Sequence, residues 1–166
     1  CISSMPAPLT SPLASSTSLT VTATGFPITV GGGGNADPAP SATPAPSRSG
    51  SNSVFSTITS AGGGGAGSNC FTNGASGGSG GGGSRNATVI GDAGSGNTPP
   101  VSPPQGNPGG FNPSAIGGGG GGAGGTSAAD CNANGGIGSF MMQAGFAGCN
   151  GTTGPVGAVR YFAGGG

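Results

Sequence analysis

Runs of glycine are the feature that most limits what this chain can fold into. Runs of three to six consecutive glycines occupy 31–34, 62–65, 80–83, 117–122 and 164–166. Glycine has no side chain to bury, and it loses more backbone entropy on folding than any other residue. Such runs therefore either stay flexible or pack backbone against backbone.

The composition argues against a conventional apolar core. Glycine contributes 43 and proline 15 of the 166 residues, and tryptophan is absent. A share of proline and glycine this high, without a fixed period, is typical of disordered chains. Disordered chains also usually carry a high net charge, whereas the three arginines and three aspartates of this chain cancel. A near-neutral chain tends to associate with itself.

Charge and hydropathy also limit the partners. Three scattered arginines cannot neutralise many phosphates, so we expect no nucleic-acid binding. The sequence contains no run of about 18 apolar residues, so we expect no membrane span. Self-association, as a homo-oligomer or a filament, is the partnership that remains.

The residues needed for most catalysis are absent. Histidine, lysine and glutamate do not occur in the sequence. A serine nucleophile needs a neighbouring base, and a phosphate-binding loop needs a lysine after its glycines. Asp37, Asp92 and Asp130 stand singly, and no Cys-x-x-Cys pair offers zinc-type spacing. We therefore expect a protein that is not an enzyme and that holds no cofactor and no metal.

The chain divides into an arm and a domain. Residues 1–18 are rich in serine and proline, and they predict an extended arm because each proline fixes φ and favours extended geometry before it. Residues 19–166 predict one glycine-rich structural domain. Within it, 35–50 and 97–113 are proline-rich loops.

Alternation of apolar and polar residues predicts short strands in the domain. The strands cover 19–30, 53–60, 87–90 and 156–163, and 137–146 is the only mildly helix-compatible stretch. We expect the strands to form a small apolar layer beside the glycine runs. Its members are Val21, Ile28, Val54, Ile58, Val89 and Val159.

Polyproline-II geometry offers a way to order the glycine runs. It has three residues per turn and a rise of about 3.1 Å per residue. Neighbouring helices of this kind can exchange N–H···O bonds, and only glycine lets their backbones come close enough. The alternative is a set of flexible linkers. We predict a mostly irregular and β fold, in which short β-strands combine with packed polyglycine (polyproline-II-like) segments and there is little or no α-helix.

Four cysteines, Cys1, Cys70, Cys131 and Cys149, are disulfide candidates. An even number in a chain with a poor core is typical of an oxidising compartment. Four cysteines allow three pairings, of which Cys131 with Cys149 is the most local. The alternatives are four free, buried thiols and, for Cys1, the lipidated first residue of a mature lipoprotein.

Two other kinds of candidate site remain. Asn86 and Asn150 begin Asn-x-Thr sequons, which accept glycans in secreted proteins. An apolar cluster is either an adhesive contact surface or a local core, since methionine and phenylalanine adapt to varied partners. Its members are Phe140, Met141, Met142 and Phe146.

Several segments resemble the glycine-rich domains of bacteriophage tail-fibre and receptor-binding proteins. The resemblance lies in 28–34, 50–65, 96–110 and 161–166, and its most specific parts are Ser-Val-Phe-Ser-Thr-Ile-Thr-Ser-Ala before a glycine run and Pro-Pro-Val-Ser-Pro-Pro. It implies a structural or host-attachment role at a virion surface, without catalysis. The four cysteines, the serine- and proline-rich arm and the insertion at 126–155 depart from the family pattern.

We therefore expect an extracellular or virion-surface protein that presents loops to a host-surface glycan or protein. The alternative is a self-assembling subunit of a secreted filament or matrix, whose arm docks into a neighbour by strand addition. An ice-binding role would need a regular threonine face, and Thr20, Thr22 and Thr24 alone are too few.

Overall fold

The computed structural model describes residues 20, 22–35, 48–69, 71–86, 88–111, 117–127, 134–141, 152–153 and 160–166. These residues contain two small antiparallel sheets, a set of glycine-rich segments and no α-helix. The predicted mostly irregular and β fold is confirmed for the part of the chain that is described. The extended arm predicted for 1–18 lies outside it.

The first sheet has the strand order β1-β2-β3, and both strand pairs are antiparallel. Its strands are β1 (Ile28–Thr29), β2 (Ser53–Phe55) and β3 (Ile58–Ser60). The single strand predicted over 53–60 is wrong, because the chain reverses between β2 and β3 and forms a hairpin.

The turn of this hairpin depends on Ser56. Its φ is 53°, in the left-handed region, and its amide donates to the carbonyl oxygen of Pro27 at 3.1 Å. Two-residue hairpin turns need positive φ angles, and a pattern of alternating polarity does not reveal them. Beside the turn, the rings of Phe26 and Phe55 stack with their centroids 5.7 Å apart.

The second sheet has the order β4-β6-β5, again with antiparallel pairs. Its strands are β4 (Ser139–Met141), β5 (Thr152–Thr153) and β6 (Arg160–Phe162). β6 lies within the strand predicted over 156–163. β4 lies in the stretch that was compatible with a helix, where pairing with β6 overrides a weak helical preference.

The predicted apolar layer is wrong for three of its members. The exposed fractions of Ile28, Ile58 and Val89 are 69%, 54% and 49%. Sheets of three strands, each only two or three residues long, are too small to cover an apolar face. Val21 and Val159 lie outside the described residues.

Extended segments, most of them rich in glycine, instead supply most of the buried residues that the structure describes. We number ten of them in chain order. They are PG1 (31–34), PG2 (48–52), PG3 (61–67), PG4 (72–78), PG5 (79–84), PG6 (91–96), PG7 (105–110), PG8 (117–122), PG9 (134–138) and PG10 (163–166).

PG5 lies at the centre of a bundle, with five other segments around it. Its amides donate to carbonyl oxygens of PG4 and PG7, and its carbonyl oxygens accept from amides of PG3, PG6 and PG8. The nitrogen–oxygen distances in these bonds are 2.6–3.0 Å. The surrounding segments also bond to one another, in the order PG3, PG4, PG6, PG7, PG8.

Each neighbour of PG5 is bonded at every third residue. Gly80 and Gly83 donate to PG7, whereas Gly81 and Ser84 donate to PG4. A helix with three residues per turn brings every third amide to the same side. The predicted packing of polyglycine segments is therefore confirmed in PG3 to PG8.

The interior of this bundle is backbone. Gly80, Gly81, Gly82 and Gly83 are all buried. Among the described residues, Ala75 and Ala123 are the buried apolar side chains, with exposed fractions of 6% and 7%. Hydrogen bonds between main chains, rather than packed side chains, hold the segments together.

Close approach explains why the interior is glycine. A methyl group on Gly81 would overlap the carbonyl oxygen of Gly65, and one on Gly82 would overlap that of Gly118. No glycine whose surroundings the structure describes has φ in the left-handed region. Space, and not an unusual backbone conformation, therefore requires glycine here.

Candidate loop platform

Two loops and the residue Phe111 meet at one end of the bundle. The loops 68–71 and 85–90 and the residue Phe111 each adjoin a residue that is hydrogen-bonded to Gly83 or Ser84, at the end of PG5. The bonds run from Gly83 N to Gly110 O at 2.9 Å, from Ser84 N to Thr72 O at 2.6 Å and from Gly91 N to Ser84 O at 2.8 Å. We call these two loops and Phe111 the loop platform.

The platform exposes large apolar side chains. The exposed fractions are 41% for Phe71, 49% for Val89, 46% for Ile90 and 45% for Phe111. All four residues lie one or two positions from the nearest end of a bundle segment. Apolar side chains grouped at one end of a domain are typical of an interaction surface.

Asn86 orders the longer loop. Its Oδ1 accepts from the amides of Thr88 and Val89 at 3.0 and 2.7 Å, and from Thr88 Oγ1 at 3.2 Å. Its Nδ2 donates to the carbonyl oxygen of Asn69 at 3.3 Å, which ties this loop to the shorter one. An asparagine that bonds its own following backbone forms a turn.

This turn replaces the strand that was predicted over 87–90. For residues 88–90 that prediction is wrong, because the pairing that the structure describes there is a single bridge between Arg85 and Ile90. Apolar β-branched residues favoured a strand, but the Asn86 side chain supplies the bonds that a strand partner would have made.

Ser68 closes the shorter loop. Its amide donates to the carbonyl oxygen of Phe71 at 2.8 Å, and its Oγ accepts from the Phe71 amide at 3.3 Å. Ser68 is 7% exposed. The Phe71 backbone is therefore fixed while its ring stays in solvent.

The platform carries little charge. Arg85 is the one charged residue that the described part of its loops contains, and it is half-buried. The other polar groups are the amides of Asn69 and Asn86 and the hydroxyls of Ser68 and Thr88. Such a surface offers aromatic and aliphatic contacts beside neutral hydrogen-bonding groups.

Comparison with known protein families identifies the family of this chain. The family described as glycine-rich domain matches residues 11–166. The chain belongs to this family. No curated protein and no solved structure matches the chain.

Most sequence-predicted sites of this glycine-rich domain lie outside the described residues. They are Cys1, Cys70, Cys131, Cys149, Asn150, Met142 and Phe146. Phe140 and Met141 lie in β4, where they pair with Tyr161 and Arg160. Asn86 is half-buried within the platform, and its glycosylation stays a prediction.

Sequence reasoning missed the apolar residues of the platform other than Val89. Phe71, Ile90 and Phe111 each stand next to a bundle segment, but only Phe111 directly follows consecutive glycines, so no single sequence signal would have found all three. In the described part of the glycine-rich domain, no helix is long and apolar enough to cross a membrane, and no three potential metal ligands come together.

Proposed function

We propose that this glycine-rich domain is a non-catalytic structural protein of an extracellular or virion surface, and that the loop platform attaches it to a host-surface glycan or protein. The proposal follows the resemblance of its segments to phage tail-fibre domains. The platform at the end of the bundle is the observation that carries it.

The bundle suits a display role. Its segments are bonded to each other through main-chain groups at every third residue, so the ends of PG4 to PG7 are held firmly beneath the loops. Binding residues placed on loops above a rigid scaffold are a common arrangement. The exposed rings of Phe71 and Phe111 provide large contact area at a small cost in side-chain entropy.

The test begins with electron microscopy of the native assembly. The proposal expects this chain in a closed complex on a particle. It then expects the double substitution of Phe71 and Phe111 to serine to lower host adsorption by at least about tenfold, which corresponds to about 1.4 kcal/mol of binding. Val101→Ser is the matched control, since Val101 is 43% exposed in the loop that follows PG6, at the opposite end of the bundle.

A second candidate is a subunit of a secreted filament or matrix. The first sheet favours it, because β1 is an edge strand with exposed apolar residues. The exposed fractions are 69% for Ile28 in the strand and 83% for Val30 just after it. An exposed apolar edge is a template for strand addition. An open helical repeat in the micrographs would support this role and overturn attachment through the platform.

A further inference from the structure

Among the described residues, the ring of segments around PG5 has one open position. A helix with three residues per turn points its amides in three directions and its carbonyl oxygens in three others. In the order PG3, PG4, PG6, PG7, PG8, the segments alternately donate to PG5 and accept from it. The sixth position, between PG8 and PG3, must therefore accept from PG5.

The amides that face this position are those of Ser79 and Gly82. Gly80 and Gly83 donate to PG7, and Gly81 and Ser84 donate to PG4, so the remaining amides of PG5 point the third way. Within the described part of the chain, neither the Ser79 nor the Gly82 amide has an acceptor. Amides of protein interiors are almost always paired, so this face lacks its partner.

A cavity of about 370 Å³ opens at the Ser79 end of this face, and Gly82 does not line it. Its lining includes Gly63 and Gly64 of PG3, Ser79 of PG5, and Gly120 and Gly121 of PG8. PG10 closes a further side. The opening is thus a slot in whose walls nine glycines expose main-chain amides and carbonyl oxygens. The other lining residues are Ser60, Ala61, Ser79, Gln105, Ala123 and Ala163.

Two glycines of the slot differ from those of the interior. A methyl group on Gly63 would have the Ser79 carbonyl oxygen as its nearest atom, at 4.0 Å. One on Gly120 would lie 3.4 Å from the Gly166 oxygen and 3.8 Å from the Gly80 oxygen, which are ordinary contacts. The chain by itself does not need glycine at these positions, whereas a further polyglycine segment in the slot would.

We infer that the slot binds a polyglycine segment of a second copy of this chain, and that the segment is PG1. PG1 contacts its own molecule on one side, through Ser51 and Arg48. Gly32, Gly33 and Gly34 are exposed, and a methyl group on Gly33 would meet nothing within 4 Å. The four residues of PG1, at about 3.1 Å each, span about 12 Å. This length covers slightly more than one turn of the neighbouring PG5.

Binding of PG1 in the slot would be the contact through which the chain associates with itself. This inference rests on the proposed function, which expects such self-association. Because PG1 and the slot are different surfaces, the contact is heterologous, and it closes into a ring or continues as a filament according to its rotation. Main-chain bonds and the absence of Cβ atoms at the lining glycines supply most of the recognition, beside a few mostly small side chains of the slot.

Sedimentation of the full chain tests this inference. Gly63→Ala and Gly120→Ala should fold with an unchanged melting temperature and associate at least about tenfold more weakly, a loss of about 1.4 kcal/mol. Gly33→Ala should do the same from the other side of the contact. Gly25→Ala is the matched control, since a methyl group there meets nothing within 4 Å and Gly25 lies outside both surfaces.

Mixing the variants provides the decisive result. The Gly63→Ala copy keeps its PG1 and the Gly33→Ala copy keeps its slot, so an equimolar mixture should form heterodimers at concentrations at which each variant alone stays mostly monomeric. Wild-type oligomers that persist in all three variants would overturn the slot while leaving self-association intact. A chain that stays monomeric at every concentration would overturn self-association and with it the slot. The adsorption test of the Phe71 and Phe111 variant would still decide whether the platform binds a host surface.

Discussion

The polyglycine bundle and the first sheet bury opposite parts of the chain. In the bundle, main-chain groups are buried and side chains are nearly absent, since Ala75 is among its few buried apolar residues. In the sheet, the strands carry large side chains, yet Ile28 and Ile58 remain more than half exposed. The difference shows that backbone hydrogen bonding, and not apolar burial, decides which region is the core of this domain.

The largest expected effect comes from adding one methyl group inside the bundle. Gly82→Ala would drive its Cβ into the Gly118 carbonyl oxygen, and we expect a loss of about 3 kcal/mol or more, since overpacked main chain cannot move aside as a side chain can. Chemical denaturation measures it. Gly25→Ala, which has free space, is the control, and equal stability of the two variants would contradict a close-packed bundle.

A smaller loss is expected at the loop between PG6 and PG7. Asn97 Oδ1 accepts from the amides of Val101 and Gln105 at 3.2 and 3.1 Å, and its Nδ2 donates to the Val101 oxygen at 3.0 Å. Asn97→Ala should cost about 1–3 kcal/mol in the free energy of unfolding, because these backbone groups lose their partner.

Asn97→Gly separates the two contributions at this position. Asn97 has φ of 49°, which glycine adopts without strain. If Asn97→Gly were as stable as the wild type, the side-chain bonds would contribute nothing and the left-handed φ alone would explain the alanine variant.

The hairpin of the first sheet should gain stability from glycine. Ser56→Gly relieves a left-handed φ at the turn, and we expect the free energy of unfolding to rise by about 0.5–1 kcal/mol. Thermal melting measures the change. Thr57→Gly should have the opposite sign, since Thr57 is not among the residues with positive φ. A loss in Ser56→Gly would show that the turn differs in solution.

The smallest effect is expected on the exposed face of the sheet. Ile28→Ser removes a side chain that is 69% exposed, and we expect a change within about 0.5 kcal/mol. Hydrogen exchange should agree, with amides of β1 exchanging much faster than those of Gly80, Gly81 and Gly83 in PG5. A loss above about 1 kcal/mol would show that the sheet buries its apolar residues after all.

The sequence predicted the kind of core but not its arrangement. Runs such as 80–83 and 117–122 exclude a side-chain core, and main-chain packing follows from that. Which run lies beside which depends on matching every third amide, and identical glycines carry no information on register. The order of the segments around PG5, which is PG3, PG4, PG6, PG7, PG8, therefore could not be predicted from the sequence.

The strands and the platform were predictable only in part. Alternation at 53–60 found the right residues but missed the reversal at Ser56, because a serine with positive φ has no sequence signature. The motif at Asn86 was interpreted as a sequon, whereas the structure shows that the same side chain also organises the turn. Phe71 and Phe111 are far apart in the sequence, and only the fold shows that they lie at the same end of the bundle.

A core made of main chain also changes how the domain responds to temperature. Exposure of apolar surface raises the heat capacity on unfolding, and exposure of polar surface lowers it. Unfolding the bundle exposes mainly peptide groups, so its heat-capacity change should fall well below the usual value of about 12–15 cal/mol/K per residue. The stability curve of this domain should therefore be broad and flat, with little weakening in the cold.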